Sequence, residues 1–424
     1  MASESDSKPI DVAIVGGGLG GLSLAVGLLK HPHLQVQIYE SAETFSEIGA
    51  GLDIAPNAQR ALKLIDPKLE QAYSSQATHN IEEDMGTVWF DYRNEAGQTI
   101  AAPRSETGVF SVHRAKLVDE LAKLIPKEVA HFKKELGQIE NLESNRVKLR
   151  FKDGTSATAD CAIGADGVHS VVRKYLLGEQ SPAADPIFSG TVVYRVAPPI
   201  QEAIAALGKT CAQTGQCHVG KGRCIVTYPI DYGQSLNIAA LNASYDHWDG
   251  PWAKRAEHSK IAEEFSDLGP QVQKIIKLFD RPGVLMRSVW EYPLAPTYVH
   301  GNLAMIGDAA HAMVPFQGQG ASQTMEDVFV LQALFALVDT PAKIPMAFQA
   351  YDTIRRPRSQ KVWETSREAG KLITLRLPGV MDDEKAFRDD VSTRMDWIWN
   401  GDIAGEGRAA VAMYEQLVVG ECAQ

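Results

Sequence analysis

Cysteine is scarce, with five in 424 residues: Cys161, Cys211, Cys217, Cys224 and Cys422. An odd count at irregular spacing excludes a disulfide framework and fits a reducing compartment. The cluster Cys211, Cys217 and Cys224 lacks the paired C-x2-4-C spacing of structural zinc sites. It reads as small apolar fillers of strands, and no metal is expected. Positive charge is also short: 42 Lys and Arg against 53 Asp and Glu give a formal net charge of -11. A nucleic-acid binder would show a basic excess, so no nucleic-acid partner is expected. No apolar run reaches the roughly 18 residues a membrane helix needs, so no span is expected. Residues 1–9 are polar, without the apolar core of a signal peptide, and read as a disordered lead. The chain ends without a peroxisomal tripeptide, and a cytoplasmic location is expected. Internal repeats and low-complexity tracts are absent. What remains is 45% hydrophobic and 22% charged residues, an ordinary globular balance over a length of about two or three structural units.

Residues 11–15 form a short apolar run that breaks into glycines. Leu19, Leu22, Leu24, Ala25, Leu28 and Leu29 then recur at helical spacing until His31-Pro32-His33. Residues 34–40 alternate like a strand, so the opening is a βαβ unit. Helices are expected from 56 and over 113–125, where Leu117, Leu121 and Leu124 share a face. Residues 147–152 alternate into an Asp153-Gly154 hairpin turn. Residues 161–164 read as a buried strand. From 188 to about 286 the character changes: strands are expected over 191–196, 223–230 and 235–241, with helical pieces over 252–265 and 270–279. A buried strand returns at 302–306, and from 321 onward the chain is mainly helical.

Three motifs carry chemistry. In the first, Gly16, Gly18 and Gly21 form G-x-G-x-x-G, with Leu19 opening the helix. Gly16 permits the turn out of the strand, Gly18 lets the backbone approach a pyrophosphate, and Gly21 lets helix and strand pack closely. The helix N-terminus offers free N–H groups to phosphates. Glu40, 19 residues after Gly21 at the end of the next strand, suits the ribose hydroxyls of an adenosine. This motif does not separate NAD from FAD. The second motif is Gly164-Ala165-Asp166-Gly167 with Ser170 and Arg173 one turn on; by itself it reads as a capped helix start. The third is Gly307-Asp308-Ala309-Ala310-His311, then Pro315, Gly318, Gly320 and Ala321 at the opening of a long helix. An Asp at a strand end suits a polyol such as a ribityl chain. The helix N-terminus behind Gly320 suits the anion of a reduced flavin. His311, in the loop, reads as structural rather than as a general base.

In this order and spacing the three motifs resemble the single-component (group A) FAD-dependent aromatic monooxygenases, and within them the fungal salicylate hydroxylase-like branch. The resemblance spans nearly the whole chain. Gly49-Ala50-Gly51-Leu52 with Pro56-Asn57, Val112-His113-Arg114, and Tyr351-Asp352 with Arg355-Arg356-Pro357-Arg358 support it. It implies an α/β fold: a Rossmann-type FAD-binding domain (10–80, 105–180 and 286–345), an inserted, mostly antiparallel substrate domain (81–104 and 181–285), and a C-terminal helical region (346–424). It implies that Gly16, Gly18, Leu19, Gly21 and Glu40 hold the ADP half of FAD. Gly51, Arg114, Asp166 and Asp308 would reach the cofactor, with Asp308 on the ribityl chain. Pro315, Gly318, Gly320 and Ala321 would lie along the isoalloxazine. The family forms a flavin C4a-hydroperoxide and places one atom of O2 on an electron-rich ring.

The implied substrate is a small phenolic aromatic that reacts as its phenolate, which needs a donor or cation beside it. Fungal relatives acting on acylated resorcinols use an Arg and a Tyr from adjoining strands, and those roles are carried to Arg195 and Tyr228, with His218 as a third pocket candidate. Trp290, Tyr292 and Pro293 are assigned to domain packing. Trp397-Ile398-Trp399 lacks the sequence context of a flavin halogenase motif and is assigned to anchoring the C-terminal helices. A second G-x-G-x-x-G and a C-x-x-C pair are both missing, so NADH or NADPH is expected to dock transiently near the FAD. Decarboxylative hydroxylation of a salicylate and dearomatisation of an acyl resorcinol both stay open, the Arg195 and Tyr228 roles pointing toward an acyl phenol of secondary metabolism. A non-oxygenating flavin oxidoreductase and a silent FAD-binding scaffold are the alternatives from other classes. Monomer and homodimer are equally open.

Overall fold

The computed structural model describes residues 8–46, 51–380 and 383–422; most of the expected lead, and Gly49-Ala50, lie outside the described residues. The strand Ile10–Val15 sits inside a six-stranded sheet. The order across that sheet is Val299–His300, Leu303–Met305, Cys161–Gly164, Ile10–Val15, Leu34–Tyr39, Ala130–His131. Every pair is parallel except the first, which is an antiparallel edge. The helix Leu19–Leu28 is apolar around nearly its whole circumference because it is covered on both sides, by this sheet and by the helix Gly320–Phe335. A separate three-stranded antiparallel sheet uses Leu136–Asn141, Val147–Phe151 and Ser156–Ala159, with Gly154 at φ +85° in its turn.

The second large sheet has eight strands, in the order Ala253–Arg255, Leu285–Glu291, Ile187–Val196, Ser235–Asn242, Arg223–Ile230, Gln216–Gly220, Asp91–Arg93, Thr99–Ala101. Its pairs are antiparallel except for Gln216–Gly220 beside Asp91–Arg93. Two expectations change here. The helix expected over 252–265 is a strand at Ala253–Arg255 and a helix only at His258–Glu264, because the free edge of Leu285–Glu291 recruits the first part into pairing. The boundary drawn at 285/286 cuts through Leu285–Glu291, which belongs to this sheet along its whole length.

Alternation of side chains splits the eight-stranded sheet chemically. Val192, Tyr194, Ile225, Ile238 and Ala240 pack under the helices Ile200–Leu207 and Pro270–Lys277. Val193, Arg195, Val226, Tyr228, Ala239 and Leu241 face a cleft toward the six-stranded sheet. The helices Gly320–Phe335, Ile344–Ile373 and Ile403–Cys422 pack together behind that cleft. Among the described residues no helix is long and apolar enough to cross a membrane.

Candidate active site

A cleft of about 870 Å³ runs from the first glycine loop, past the Pro315–Ala321 segment, to the inner face of the eight-stranded sheet. Gly16, Gly18, Leu19 and Glu40 line its first arm. Gly16 has φ +103°, and a Cβ there would lie 2.4 Å from the Ala165 carbonyl oxygen. Gly21 does not line the cleft. A Cβ at Gly21 would lie 2.0 Å from the Gly16 oxygen, so its function is close helix–strand packing. The helix Leu19–Leu28 starts at Gly18 with no side-chain cap, which leaves its first N–H groups for a ligand. The Glu40 carboxylate accepts from Gly17 N (2.6 Å) and Ala42 N (2.7 Å) and is thereby fixed against the glycine loop.

The Asp166 carboxylate turns away from the cleft into its own helix. It accepts from Ser170 Oγ (2.6 Å), Val171 N (2.8 Å) and Val172 N (3.2 Å), while Ser170 Oγ accepts from Arg173 N. Burial pushes the Asp166 carboxyl up against these bonds. The residue still lines the cleft, as do Ala165 and Gly167. Arg173 is fully buried, donates to the carbonyls of Ala183, Pro293, Ala309 and Ala310, and lies over the Tyr292 ring at 4.0 Å. It thus ties the second motif to the third.

Asp308 is exposed to the cleft at the end of the strand Leu303–Met305, after Gly307 at φ +58°. It exerts an attractive field on Arg114, which lines the same space; burial lowers the Arg114 guanidinium, Asp308 opposes that, and Arg195 and Arg287 reinforce it. Pro315, Gly318, Gly320 and Ala321 all line the cleft. The helix Gly320–Phe335 also begins without a side-chain cap.

His311 points the other way. Its Nε2 pairs with Asp327 Oδ2 at 2.7 Å, both side chains being buried. Asp327 also accepts from Gly307 N (3.1 Å) and Arg355 Nε (3.0 Å). The neighbouring Glu326 takes Arg355 Nη1 (2.6 Å), Arg358 Nε (2.7 Å) and Asn57 Nδ2 (2.7 Å). Burial pushes both carboxyls up, but the arginines, and His311 for Asp327, outweigh it and hold them below the usual range. The sequence marked Arg355 and Arg358 only as part of a stretch supporting the resemblance; in the fold they neutralise acids buried beneath the third motif.

At the eight-stranded sheet, Arg195 Nη1 donates to the Gly51 carbonyl (3.3 Å). Gly51 pairs with His113 in a two-stranded ladder, and its N–H donates to Asn237 Oδ1 (3.1 Å). A Cβ on Gly51 would come within 2.6 Å of the Tyr228 hydroxyl, so the absence of a side chain admits the tyrosine. Tyr228 is buried, with its ring edge-on to Phe90 at 6.1 Å. Burial pushes its hydroxyl up to about 12, against the pull of Arg195. His218 does not join them. It pairs with Ile225 on the opposite face of the sheet, and burial pushes it down to about 4. Strand alternation gives the cleft to Cys217 instead. Trp399 packs edge-on against Trp89 at 5.1 Å, and Trp397 lies beside Arg358 and Lys361, which is the anchoring contact expected of that segment.

Sequence reasoning missed Asp53. It is buried at the cleft wall and accepts from Trp89 Nε1 (2.9 Å) and Phe110 N (3.2 Å). Burial pushes its carboxyl up to about 6. One acid in the apolar stretch Gly51-Leu52-Asp53-Ile54-Ala55 was the available signal.

One continuous cleft thus joins two uncapped helix N-termini, an acid at a strand end for each polar arm, and glycines where the backbone must come close. These features fit FAD along the arm from the glycine loop to the Pro315–Ala321 segment. They fit a flavin-dependent oxidoreductase. The chain belongs to the family described as FAD binding domain, whose model matches residues 9–366. It is 44% identical over 421 residues to a 6-methylsalicylate 1-monooxygenase of Aspergillus terreus, covering 97% of this chain and 94% of that one. A salicylate hydroxylase of Pseudomonas putida is 36% identical over 418 residues, covering 95% and 94%. A solved substrate complex of salicylate hydroxylase superposes with a TM-score of 0.85 at 32% identity, over 95% of this chain and 98% of that one. The chain is an FAD-dependent aromatic monooxygenase of the salicylate hydroxylase-like group, with NAD(P)H as its reductant.

Proposed function

We propose that the enzyme hydroxylates a small phenol bearing a carboxylate, of the salicylate type, with Arg195 and Tyr228 holding the phenolate. The observation that carries this reading is the position of Arg195. It stands on the cleft face of the sheet among Val193, Val226, Ala239 and Leu241, with no ion-pair partner among the described residues. Its field adds to those of Arg114 and Arg287. An anionic ring that enters this space gains attraction from Arg195 and Arg287. The names of the two similar enzymes point to the same acid class.

In this reading the parallel sheet and its glycine loop form a Rossmann-type FAD domain, and the eight-stranded sheet is the inserted substrate domain. Gly16, Gly18, Leu19 and Glu40 hold the ADP half, Asp308 the ribityl chain, and the Pro315–Ala321 segment the flavin ring. When bound, FAD supplies the electrons from NAD(P)H and the activated oxygen. The chain's own residues do the rest. Arg195 and the Tyr228 hydroxyl stabilise negative charge on the phenol oxygen, which raises electron density at the ring carbon to be attacked. The apolar sheet face keeps water out. A carboxylate at that carbon then leaves as carbon dioxide.

The test uses protein loaded with FAD, NADH or NADPH, and isotopically labelled O2. The expected product from a salicylate is the diphenol carrying one labelled oxygen, with release of carbon dioxide. Salicylates left inert while an acyl resorcinol gains one oxygen would replace this reading with the dearomatising one. NAD(P)H oxidation that never labels a ring would make the protein a non-oxygenating oxidoreductase.

A further inference from the structure

We infer that Asp53 is a further catalytic residue of this cleft, the group that takes the proton from the substrate's phenol. The inference rests on the functional reading above and adds a base to it. The strand Gly51–Asp53 brings two cleft residues to one face: Gly51, against which Tyr228 and Arg195 lie, and Asp53 two positions on. Asp53 Oδ2 lies 3.8 Å from where a Cβ of Gly318 would stand, so the carboxylate borders the loop that follows Pro315. It is therefore placed between the phenolate-holding pair and the loop expected along the flavin.

The partners of Asp53 leave it free to act. Trp89 Nε1 donates to one oxygen and Phe110 N to the other. Each carboxylate oxygen has a second lone pair available. Among the described residues no cation forms an ion pair with it, in contrast to Glu326 and Asp327. The groups that face it are few. From the strand Arg223–Ile230 comes Tyr228, which feels its charge. From Ile187–Val196 comes Arg195, which acts on Tyr228 in turn. From Ser111–His113 comes His113, paired with Gly51. Trp89 brings only its N–H, and Pro315-Phe316-Gln317-Gly318 brings no titratable group. A dry, unpaired carboxylate has a higher proton affinity than one in water, which suits it to accept from a phenol. In the step, the phenol O–H bond breaks, the proton binds an Asp53 oxygen, and the electron pair stays on the phenolate oxygen beside Arg195. The neutral carboxyl can then donate a hydrogen bond. No oxidant or co-reactant is needed.

The experiment measures kcat/KM against pH for the FAD-loaded enzyme, and records the ultraviolet difference spectrum of bound phenol without reductant. Wild type should show an acidic limb near pH 6 and bind the substrate as phenolate. Asp53→Asn should lose the limb, bind the substrate as neutral phenol and fall roughly 100-fold in kcat/KM. Asp53→Glu should restore the phenolate signal in part. Trp89→Phe keeps the carboxylate but removes a donor that stabilises its charge, so the limb should move to higher pH. That shift gives the answer even if Asp53→Asn folds poorly, because a purely structural carboxylate would leave the limb where it was. An Asp53→Asn enzyme that keeps both limb and phenolate signal while hydroxylating would overturn this inference alone. A wild-type enzyme that binds FAD but oxygenates no phenol would overturn the functional reading, and this one with it.

Discussion

Two sets of acids are buried in this molecule, and they are treated in opposite ways. Glu326 and Asp327 lie beneath the third motif and are matched by Arg355, Arg358 and His311. Asp53 lies at the wall of the cleft with an indole and one backbone N–H for company. Burial works against the charge in both places. Arginines reverse its effect in the first, and nothing reverses it in the second. Where the acid serves only to fix backbone, its charge is cancelled. Where it borders the cleft, its proton affinity is left high. The first set lies beneath the third motif and its loop, and the second belongs to the far wall of the cleft.

Cutting the matched set should have the largest effect. Arg355→Met leaves Glu326 and Asp327 with a buried charge uncompensated, and a loss of about 3–5 kcal/mol is expected. Denaturant unfolding with retained FAD as a second readout would check it; a loss under 1 kcal/mol would show that the arginine does not neutralise these acids. The pH dependence follows in sign. Both carboxyls titrate below their unfolded range, so their contribution is present above about pH 4 and is lost as pH falls through the depressed native values.

Next in size is Arg195→Gln, which should cost about 100-fold or more in hydroxylation while FAD binding and stability stay near wild type. Loss of FAD in that variant would place the arginine on the cofactor side and blur the contrast between the two regions. Asp53→Asn carries the opposite stability sign to Arg355→Met. Its carboxyl titrates near 6 in the fold against 3.8 unfolded, so the native state binds the proton more tightly, and stability falls as pH rises between those values. Above that window the charge costs on the order of 2–3 kcal/mol. The variant should therefore unfold at higher denaturant than wild type at pH 8, with the gap closing as pH approaches 4. A variant less stable than wild type at pH 8 would show that the bonds to Trp89 and Phe110 outweigh the buried charge.

The same contrast explains how far the sequence could be read. The glycine-loop arm of the cleft was legible because its physics is local. Gly16 needs a positive φ, Gly21 must admit the backbone of Gly16, and an uncapped helix start must follow a strand, so the residues stand close together in the chain. The far wall of the cleft joins residues 51–53, 89, 195, 228 and 318, which only the tertiary fold brings together. Arg195 and Tyr228 stood out by resemblance, yet the same means put His218 on the wrong face, since one position in a strand separates a lining residue from one beneath helices. Asp53 carries no spacing signal at all. The strand at Ala253–Arg255 was missed for a related reason: its sequence suits a helix, and the pairing edge that decides the matter lies at Leu285–Glu291.

The smallest expected effect tests how the work divides inside the cleft. Tyr228 keeps its proton at neutral pH, since burial holds its hydroxyl near 12, so it can donate to a phenolate but is a poor acceptor. Tyr228→Phe removes one neutral donor and keeps the ring that packs against Phe90. One such bond is worth about 0.5–1.5 kcal/mol, so kcat/KM should fall by about tenfold or less. The acidic limb should stay where Asp53 sets it, because the phenylalanine leaves the carboxylate dry. Steady-state rates across pH 5–9 for this variant beside Asp53→Asn would separate the donor from the base. A limb that disappears with the tyrosine hydroxyl, and survives the loss of the carboxylate, would transfer the proton-accepting role to Tyr228 and leave Asp53 as a buried anchor for Trp89.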